Sequence, residues 1–219
     1  MRALTLDGPQ NAPLRILCLG AHADDLEIGC GGAVLGLLRR RKAVEVDWVV
    51  FSAQGARARE ARRGAALFLK GARRTRITIG RFRDGFFPYE GARIKQVFER
   101  LKRRPAPDLV FTHCRGDRHQ DHRVVSDLTW QTFRNHCILE YEVSKFDGDL
   151  GTPNVFVPLD RATSARKVAS IHAAFSSQRG RPWFTPETFM ALMRLRGVEC
   201  RAPLGLAEAF HARKLVLKS

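Results

Sequence analysis

Two short polar turns hold most of the side chains in this 219-residue sequence that could do chemistry. The first reads Ala21-His22-Ala23-Asp24-Asp25 and the second Asp117-Arg118-His119-Gln120-Asp121-His122. A catalytic zinc takes three nitrogen or oxygen ligands from the protein and keeps one position open for water. His22, Asp25 and His122 would supply two imidazoles and a carboxylate, which leaves Asp24 beside the metal as a base. Such a set suits amide hydrolysis, which needs an activated water, a stabilised oxyanion and a proton for the leaving amine. His119 suits the role of electrophile or acid, and Asp121 could orient or charge a histidine. Zinc is the expected metal, and iron or cobalt also fits a site of two histidines and a carboxylate. His113, His136, His172 and His211 lack comparable surroundings and read as core or surface histidines.

The flanking sequence says what must position these turns. Leu14–Leu19 is an apolar run ending at Gly20 and predicts a buried strand. Val34–Arg41 predicts a helix with a basic end, which suits the negative end of its dipole, and Val44–Phe51 predicts a second strand. Strand, helix, strand at this spacing implies a parallel sheet with right-handed crossovers. Helices are expected over Arg57–Lys70, Ala92–Arg103, Arg123–Phe133, Ala162–Phe175 and Pro186–Arg196. Strands are expected over Arg76–Ile79, Asp108–Thr112, Ile138–Val143 and Asn154–Val157. Each polar turn follows a predicted buried strand, where ligands bind in open α/β sheets. Gly29, Gly31 and Gly32 would let the first helix pack closely on the sheet beside the first turn. They are not a dinucleotide fingerprint, because the GxGxxG order is absent and His22, Asp24 and Asp25 would oppose a pyrophosphate. Asp147–Pro158, rich in Gly and Pro, reads as a loop inside a single domain covering 1–219.

Composition narrows the class. The chain is 44% hydrophobic and 27% charged, which fits a folded globular protein. Its five cysteines include no CxxC pair, so a reducing, cytoplasmic setting is expected. No leader is seen in Met1–Arg15, and no apolar run reaches the ~20 residues that span a bilayer. The formal charge of +16 points to an anionic substrate or to a solvated arginine-rich surface. The basic residues cluster in Arg39–Lys42, Arg57–Arg63, Lys70–Arg83 and Arg100–Arg104, and the first three clusters could form an approach to the site. With no zinc-finger, RNA-recognition or phosphate-loop motif, no nucleic-acid partner is expected.

The segment LGAHADDLEIGCGG, with HQDH about a hundred residues later, resembles the PIG-L/LmbE-like deacetylases. Members carry Ala-His-Pro-Asp-Asp after the first strand and His-Pro-Asp-His after a later one. Arg57 and Glu60 resemble an Arg-x-x-Glu pattern, Asp84-Gly85 an acidic position on the substrate side, and Ala207–Phe210 a C-terminal acidic-aromatic motif. The resemblance implies a Rossmann-like three-layer α/β sandwich with a mostly parallel central sheet. It implies His22, Asp25 and His122 as zinc ligands, Asp24 as general base, and His119 with Asp121 beside it as electrophile or acid. It further implies Arg57 and Asp84 as substrate contacts. Ala23 and Gln120 replace frequent prolines without removing a ligand. Asp117 stands where some relatives have a tyrosine, so Arg118 or another residue would have to serve the oxyanion pocket.

The substrate so implied is a small N-acetylated amino sugar of N-acetylglucosamine type, such as a glycoconjugate, a nucleotide sugar or a secondary-metabolite precursor, and the charge suggests an anionic one. Two alternatives stand beside it. One is an amidase of the same fold acting on a thiol conjugate or antibiotic intermediate. The other is a basic binding module without catalysis. Oligomeric state is left open.

Overall fold

The computed structural model describes residues 12–216, so most of Met1–Arg15, where no leader was read, lies outside them. Seven strands form one sheet: β1 (Leu14–His22), β2 (Val44–Ser52), β3 (Arg74–Ile79), β4 (Leu109–His113), β5 (Cys137–Tyr141), β6 (Val155–Pro158) and β7 (Ala207–His211). Their order is β3-β2-β1-β4-β5-β7-β6. The first five strands are parallel, while β7 runs antiparallel to both β5 and β6. Among the described residues seven α-helices connect them: α1 (Asp25–Gly29), α2 (Gly31–Arg40), α3 (Gly55–Phe68), α4 (Gly91–Lys102), α5 (Gln120–Thr132), α6 (Arg161–Ala174) and α7 (Pro186–Glu199).

The alternation of side chains along a strand divides the core into two apolar layers. Ile16 and Cys18 of β1 face a cluster with α1, α2, α3, α6 and α7, through residues such as Leu26, Val34, Phe68, Ile171 and Phe189. Leu17 and Leu19 face the other side, against Phe98 of α4 and Val125 of α5. The chain is therefore a three-layer sandwich around a mostly parallel sheet, as expected. Strand order reverses between β1 and β4, the switch point at which α/β sheets open a crevice beyond their carboxyl ends. Both polar turns lie at that point.

Three local features differ from the sequence reading. β1 runs three residues past Leu19, because β2 pairs it as far as His22↔Ser52. A single helical turn, α1, precedes α2, with Asp25 at its start. Ala207–His211, read only as an acidic-aromatic motif, is an interior strand, and Glu208 on it caps α2 by accepting the Gly32 and Ala33 N–H groups at 2.7 Å each. Lys167 neutralises that buried carboxylate at 2.5 Å.

Close packing by the glycines holds for Gly29, where a Cβ would lie 2.1 Å from the Tyr141 ring of β5, and for Gly32 against Glu208 of β7. Gly31 instead meets Phe68 of α3. Among the described residues no helix is long and apolar enough to cross a membrane.

Candidate metal centre

His22 is the last residue of β1, and the chain then turns sharply into α1. Asp24 takes φ 111° in that turn, a region that costs a residue with a Cβ. The turn brings Asp25 back so that its Oδ2 accepts the His22 backbone N–H at 2.6 Å. From the neighbouring β4 end, α5 presents His122 on its first turn. The three expected ligands meet there. His22 Nδ1 is 3.2 Å from His122 Nε2, and Asp25 Oδ2 is 3.5 Å from each of those nitrogens.

The opposite nitrogen of each imidazole is committed to a carboxylate. His22 Nε2 donates to Asp121 Oδ2 at 3.0 Å, and His122 Nδ1 donates to Asp117 Oδ2 at 2.8 Å. Those partners fix the tautomers and leave lone pairs on His22 Nδ1 and His122 Nε2. With His22 neutral, three acceptors face one another, an arrangement that a proton or a cation can fill. Tetrahedral donors at about 2.0–2.1 Å from zinc stand about 3.4 Å apart, which the observed triangle matches. The residues therefore fit a divalent metal of the zinc class.

The electrostatics agree. Burial opposes charge on His22, but hydrogen bonds to Asp121, Asp25 and Asp84 outweigh it and raise its proton affinity well above the ordinary value. Burial and the nearby His113 push His122 down to about 4. The pocket thus attracts one positive charge, for which a proton and a metal compete.

Asp24 lies beside this triangle, buried and 3.1 Å from Arg57 Nη2. Burial raises its carboxyl to about 7, with Arg57 resisting and the Asp25 charge adding to the rise. Arg57 also donates to the Ala23 carbonyl and, at 3.2 Å, to Glu60. Glu60 is held in turn by Ser176 and Ser177. Arg57, expected as a substrate contact, is thus engaged with the candidate base. Asp84 stays at the mouth, its side chain 76% exposed and its Oδ1 3.0 Å from His22 Nε2.

The geometry corrects one pairing. Asp121, expected beside His119 as a carboxylate that could orient or charge a histidine, turns instead to His22. It is fully buried and binds His22 Nε2, the Gly85 N–H at 2.7 Å and the Phe87 N–H at 3.1 Å. The reason is helical position: His119 is the N-cap of α5, and its Nδ1 accepts only the Asp121 backbone N–H at 3.3 Å. His119 therefore carries its hydrogen on Nε2. Its ring stacks on His122 with centroids 4.6 Å apart and meets His22 edge-on at 4.9 Å.

Sequence reasoning passed over several participants. His113 is buried as a core histidine should be, yet it stacks on His122 at 3.8 Å and lies 3.2 Å from Asp25 Oδ2. Its Nε2 accepts the Ala21 N–H at 2.9 Å, and the Tyr141 hydroxyl lies 3.2 Å from it. The available signal was its place as the last residue of a strand adjoining the first turn. Asp117, noted only for replacing a tyrosine, orients His122 and accepts the His119 N–H at 2.8 Å. Burial works against charge on Asp117, but His122, His113 and Lys145 outweigh it and hold the carboxyl well below its ordinary range.

Comparison with known proteins gives a consistent picture. The family described as PIG-L: GlcNAc-PI de-N-acetylase matches residues 17–133. No curated protein matches the chain. Among solved structures, the conserved protein TT1542 of Thermus thermophilus is similar at TM-score 0.69 and 21% identity, over 94% of this chain and 97% of that one. The N,N'-diacetylchitobiose deacetylase of Pyrococcus horikoshii follows at TM-score 0.67 and 19% identity, over 95% and 87%. The 4-carboxy-2-hydroxymuconate hydratase GalB of Pseudomonas putida has TM-score 0.67 and 18% identity, over 94% and 98%. At these identities the likeness is one of fold.

Proposed function

Because the chain belongs to the PIG-L (GlcNAc-PI de-N-acetylase) family, we propose that it is a metal-dependent N-deacetylase acting on an N-acetylglucosamine-type amino sugar. The observation that carries this reading is the triangle of two imidazole nitrogens and a carboxylate oxygen from His22, Asp25 and His122, at 3.2–3.5 Å from one another, with the buried Asp24 next to Asp25 in the same turn. His22, Asp25 and His122 would hold a zinc-class ion, which would supply Lewis acidity and lower the pKa of water; iron or cobalt would serve the same donors.

The chain's own residues do the rest. Asp24 takes the proton of the attacking water and returns it to the sugar nitrogen as the C–N bond breaks. Its proton affinity near neutrality suits both halves of that task. Arg57 holds the Asp24 carboxylate in place. His119, with its hydrogen on Nε2, donates to the oxyanion formed at the acetyl carbon. Asp121 and Asp117 keep the two imidazoles oriented. Asp84, exposed at the mouth, is positioned to accept sugar hydroxyls.

The hydratase among the fold neighbours shows that the fold alone does not select the reaction. Family membership and a base beside the metal donors favour hydrolysis of an amide. The test is acetate release from N-acetylated amino sugars bearing different aglycones, before and after chelation and with zinc restored. Zinc-dependent acetate release is expected. Stoichiometric zinc with no acetate from any of them would overturn the deacetylase reading. Cleavage of a thiol-conjugate amide instead would favour an amidase of the same fold.

A further inference from the structure

The segment between β5 and β6 contributes a side chain that no part of the mechanism above uses. Lys145 is largely buried, its side chain 11% exposed, and its Nζ lies 3.1 Å from Asp117 Oδ2. That is the same oxygen that accepts from His122 Nδ1 at 2.8 Å. On its other side, Lys145 Nζ donates to Asp149 Oδ2 at 2.5 Å, and Asp149 Oδ2 accepts the Arg118 backbone N–H at 2.7 Å. Asp147 is a third carboxylate, 3.8 Å from the ammonium. A single lysine thus joins the 142–154 segment to the carboxylate that orients a metal-facing imidazole. The same segment exposes Phe146 (72%) and Leu150 (47%).

We propose that Lys145 is a positioning residue for the metal centre, acting through Asp117 on His122, so that docking of the 142–154 segment and metal affinity are one coupled property. The inference rests on the metal reading of His22, Asp25 and His122. Asp117 serves His122 only while its Oδ2 stays on the Nδ1 hydrogen. Without the ammonium, Asp117 and Asp149 face each other with no counter-charge, and like-charge repulsion turns the Asp117 carboxylate away from the imidazole. His122 then loses both orientation and donor strength toward the metal. Losing such an outer partner lowers metal affinity by ~10–100-fold. Lys145 lies behind His122, on the side of Nδ1, so it does not touch the reacting atoms.

The test is zinc affinity of the full chain by competition with a chromophoric chelator, read together with the visible spectrum of the cobalt-loaded protein, which reports the donor set. Lys145→Met is expected to weaken zinc by ~10–100-fold and to shift the cobalt bands. Lys145→Arg, which keeps the charge, is expected to recover most of that loss. In an Asp117→Asn background, Lys145→Met should add little, because its route to the metal is already cut. Lys145→Met with wild-type zinc affinity overturns the proposal while leaving the metal centre intact. Additive losses from Asp117→Asn and Lys145→Met overturn it as well, since Lys145 would then act independently. If Lys145→Met does not fold, Lys145→Gln, which removes the charge but keeps a polar head, takes its place alone and in the Asp117→Asn background, with the same outcomes. A wild-type chain that binds no zinc would instead sink the metal reading itself.

Discussion

Asp121→Asn separates two accounts of the second polar turn. Asp121 accepts three hydrogen bonds, from His22 Nε2 at 3.0 Å, the Gly85 N–H at 2.7 Å and the Phe87 N–H at 3.1 Å. An asparagine keeps one acceptor oxygen. If that oxygen occupies the Oδ2 position, the amide NH₂ opposes the Phe87 N–H. If the NH₂ occupies it, it opposes the Gly85 N–H and donates to His22 Nε2. That second arrangement moves the imidazole hydrogen onto Nδ1, the atom facing the metal. Either way a buried donor is left without a partner, at about 1–3 kcal/mol, and the remaining bonds lose their ionic character and about half their strength. Outer carboxylates on a ligand histidine are typically worth ~10–100-fold in metal affinity, about 1.4–2.7 kcal/mol. Asp121→Asn should therefore weaken zinc by ~10–100-fold in a chelator competition, and the melting temperature should fall with it. A carboxylate serving His119 instead would lower kcat and leave zinc binding alone. Wild-type zinc affinity in Asp121→Asn, with kcat reduced, would refute the reasoning.

Asp24→Asn should hold zinc and lose ~10²–10⁴-fold in kcat, because an amide cannot take the water's proton; a rate within a few-fold of wild type would place the base elsewhere. Glu27 is buried with both carboxyl oxygens unpartnered, and burial raises its pKa to about 8. The folded chain then binds that proton more tightly than the unfolded chain. Its contribution to stability is complete below the ordinary value of 4.5 and is lost as pH rises through about 8. Glu27→Gln should accordingly flatten the decline in melting temperature of the metal-free protein over that window, and an unchanged slope would show that Glu27 is not the group responsible. Arg39–Lys42 and Arg100–Arg104 lie where α2 and α4 end, at the amino edge of the sheet, while Arg81 and Arg83 follow β3 at its carboxyl edge. Neutralising Arg40 and Arg41 should leave kcat/KM and its salt dependence unchanged, whereas replacing Arg81 and Arg83 should lower kcat/KM for an anionic substrate at low salt; the reverse pattern would mean that the amino edge steers substrate.

The parts of the fold that were legible in the sequence have strong local signals. The middle of β1 (Ile16–Leu19), the second half of β2 (Trp48–Phe51) and the start of β4 (Leu109–Phe111) are continuous apolar runs, as suits buried parallel strands. Each precedes a break in pattern, and two of the breaks carry histidines and carboxylates. The missing parts depend on contacts distant in sequence. β7 is five residues long and is a strand because β5 and β6 flank it. Asp117 becomes the partner of His122 only because the first turn of α5 folds back over it. The partner of Asp121 could not be read either, since residues 119 and 121 are neighbours in sequence yet point to different sides of a helix start. His113 carries no motif of its own; it joins the centre because β4 lies beside β1.

The fold neighbours named above include both a deacetylase and a hydratase at the same TM-score, so the fold alone does not select a reaction, and the path of the protons is read from the site's own residues. Adding water to a double bond and cleaving an amide with it both begin when a base takes a proton from water. In hydration that proton goes on to carbon, whereas in amide cleavage it must reach nitrogen before the C–N bond can break. A carboxylate of ordinary acidity accepts the first proton poorly, and one raised too far would not be ionised to begin the cycle. Asp24, buried in a strained turn, is lifted to about 7 by burial while Arg57 limits the rise. A cation at Asp25 would draw it lower, toward the ionised form needed at the start, and charge passing to the oxyanion would favour its proton-bearing form later. His119, stacked on His122 with its hydrogen on Nε2, is free to serve the oxyanion because its Nδ1 is occupied by the helix cap. The two tasks would thus fall on separate residues, with one carboxyl able to take the proton from water and to return it to nitrogen as the C–N bond breaks.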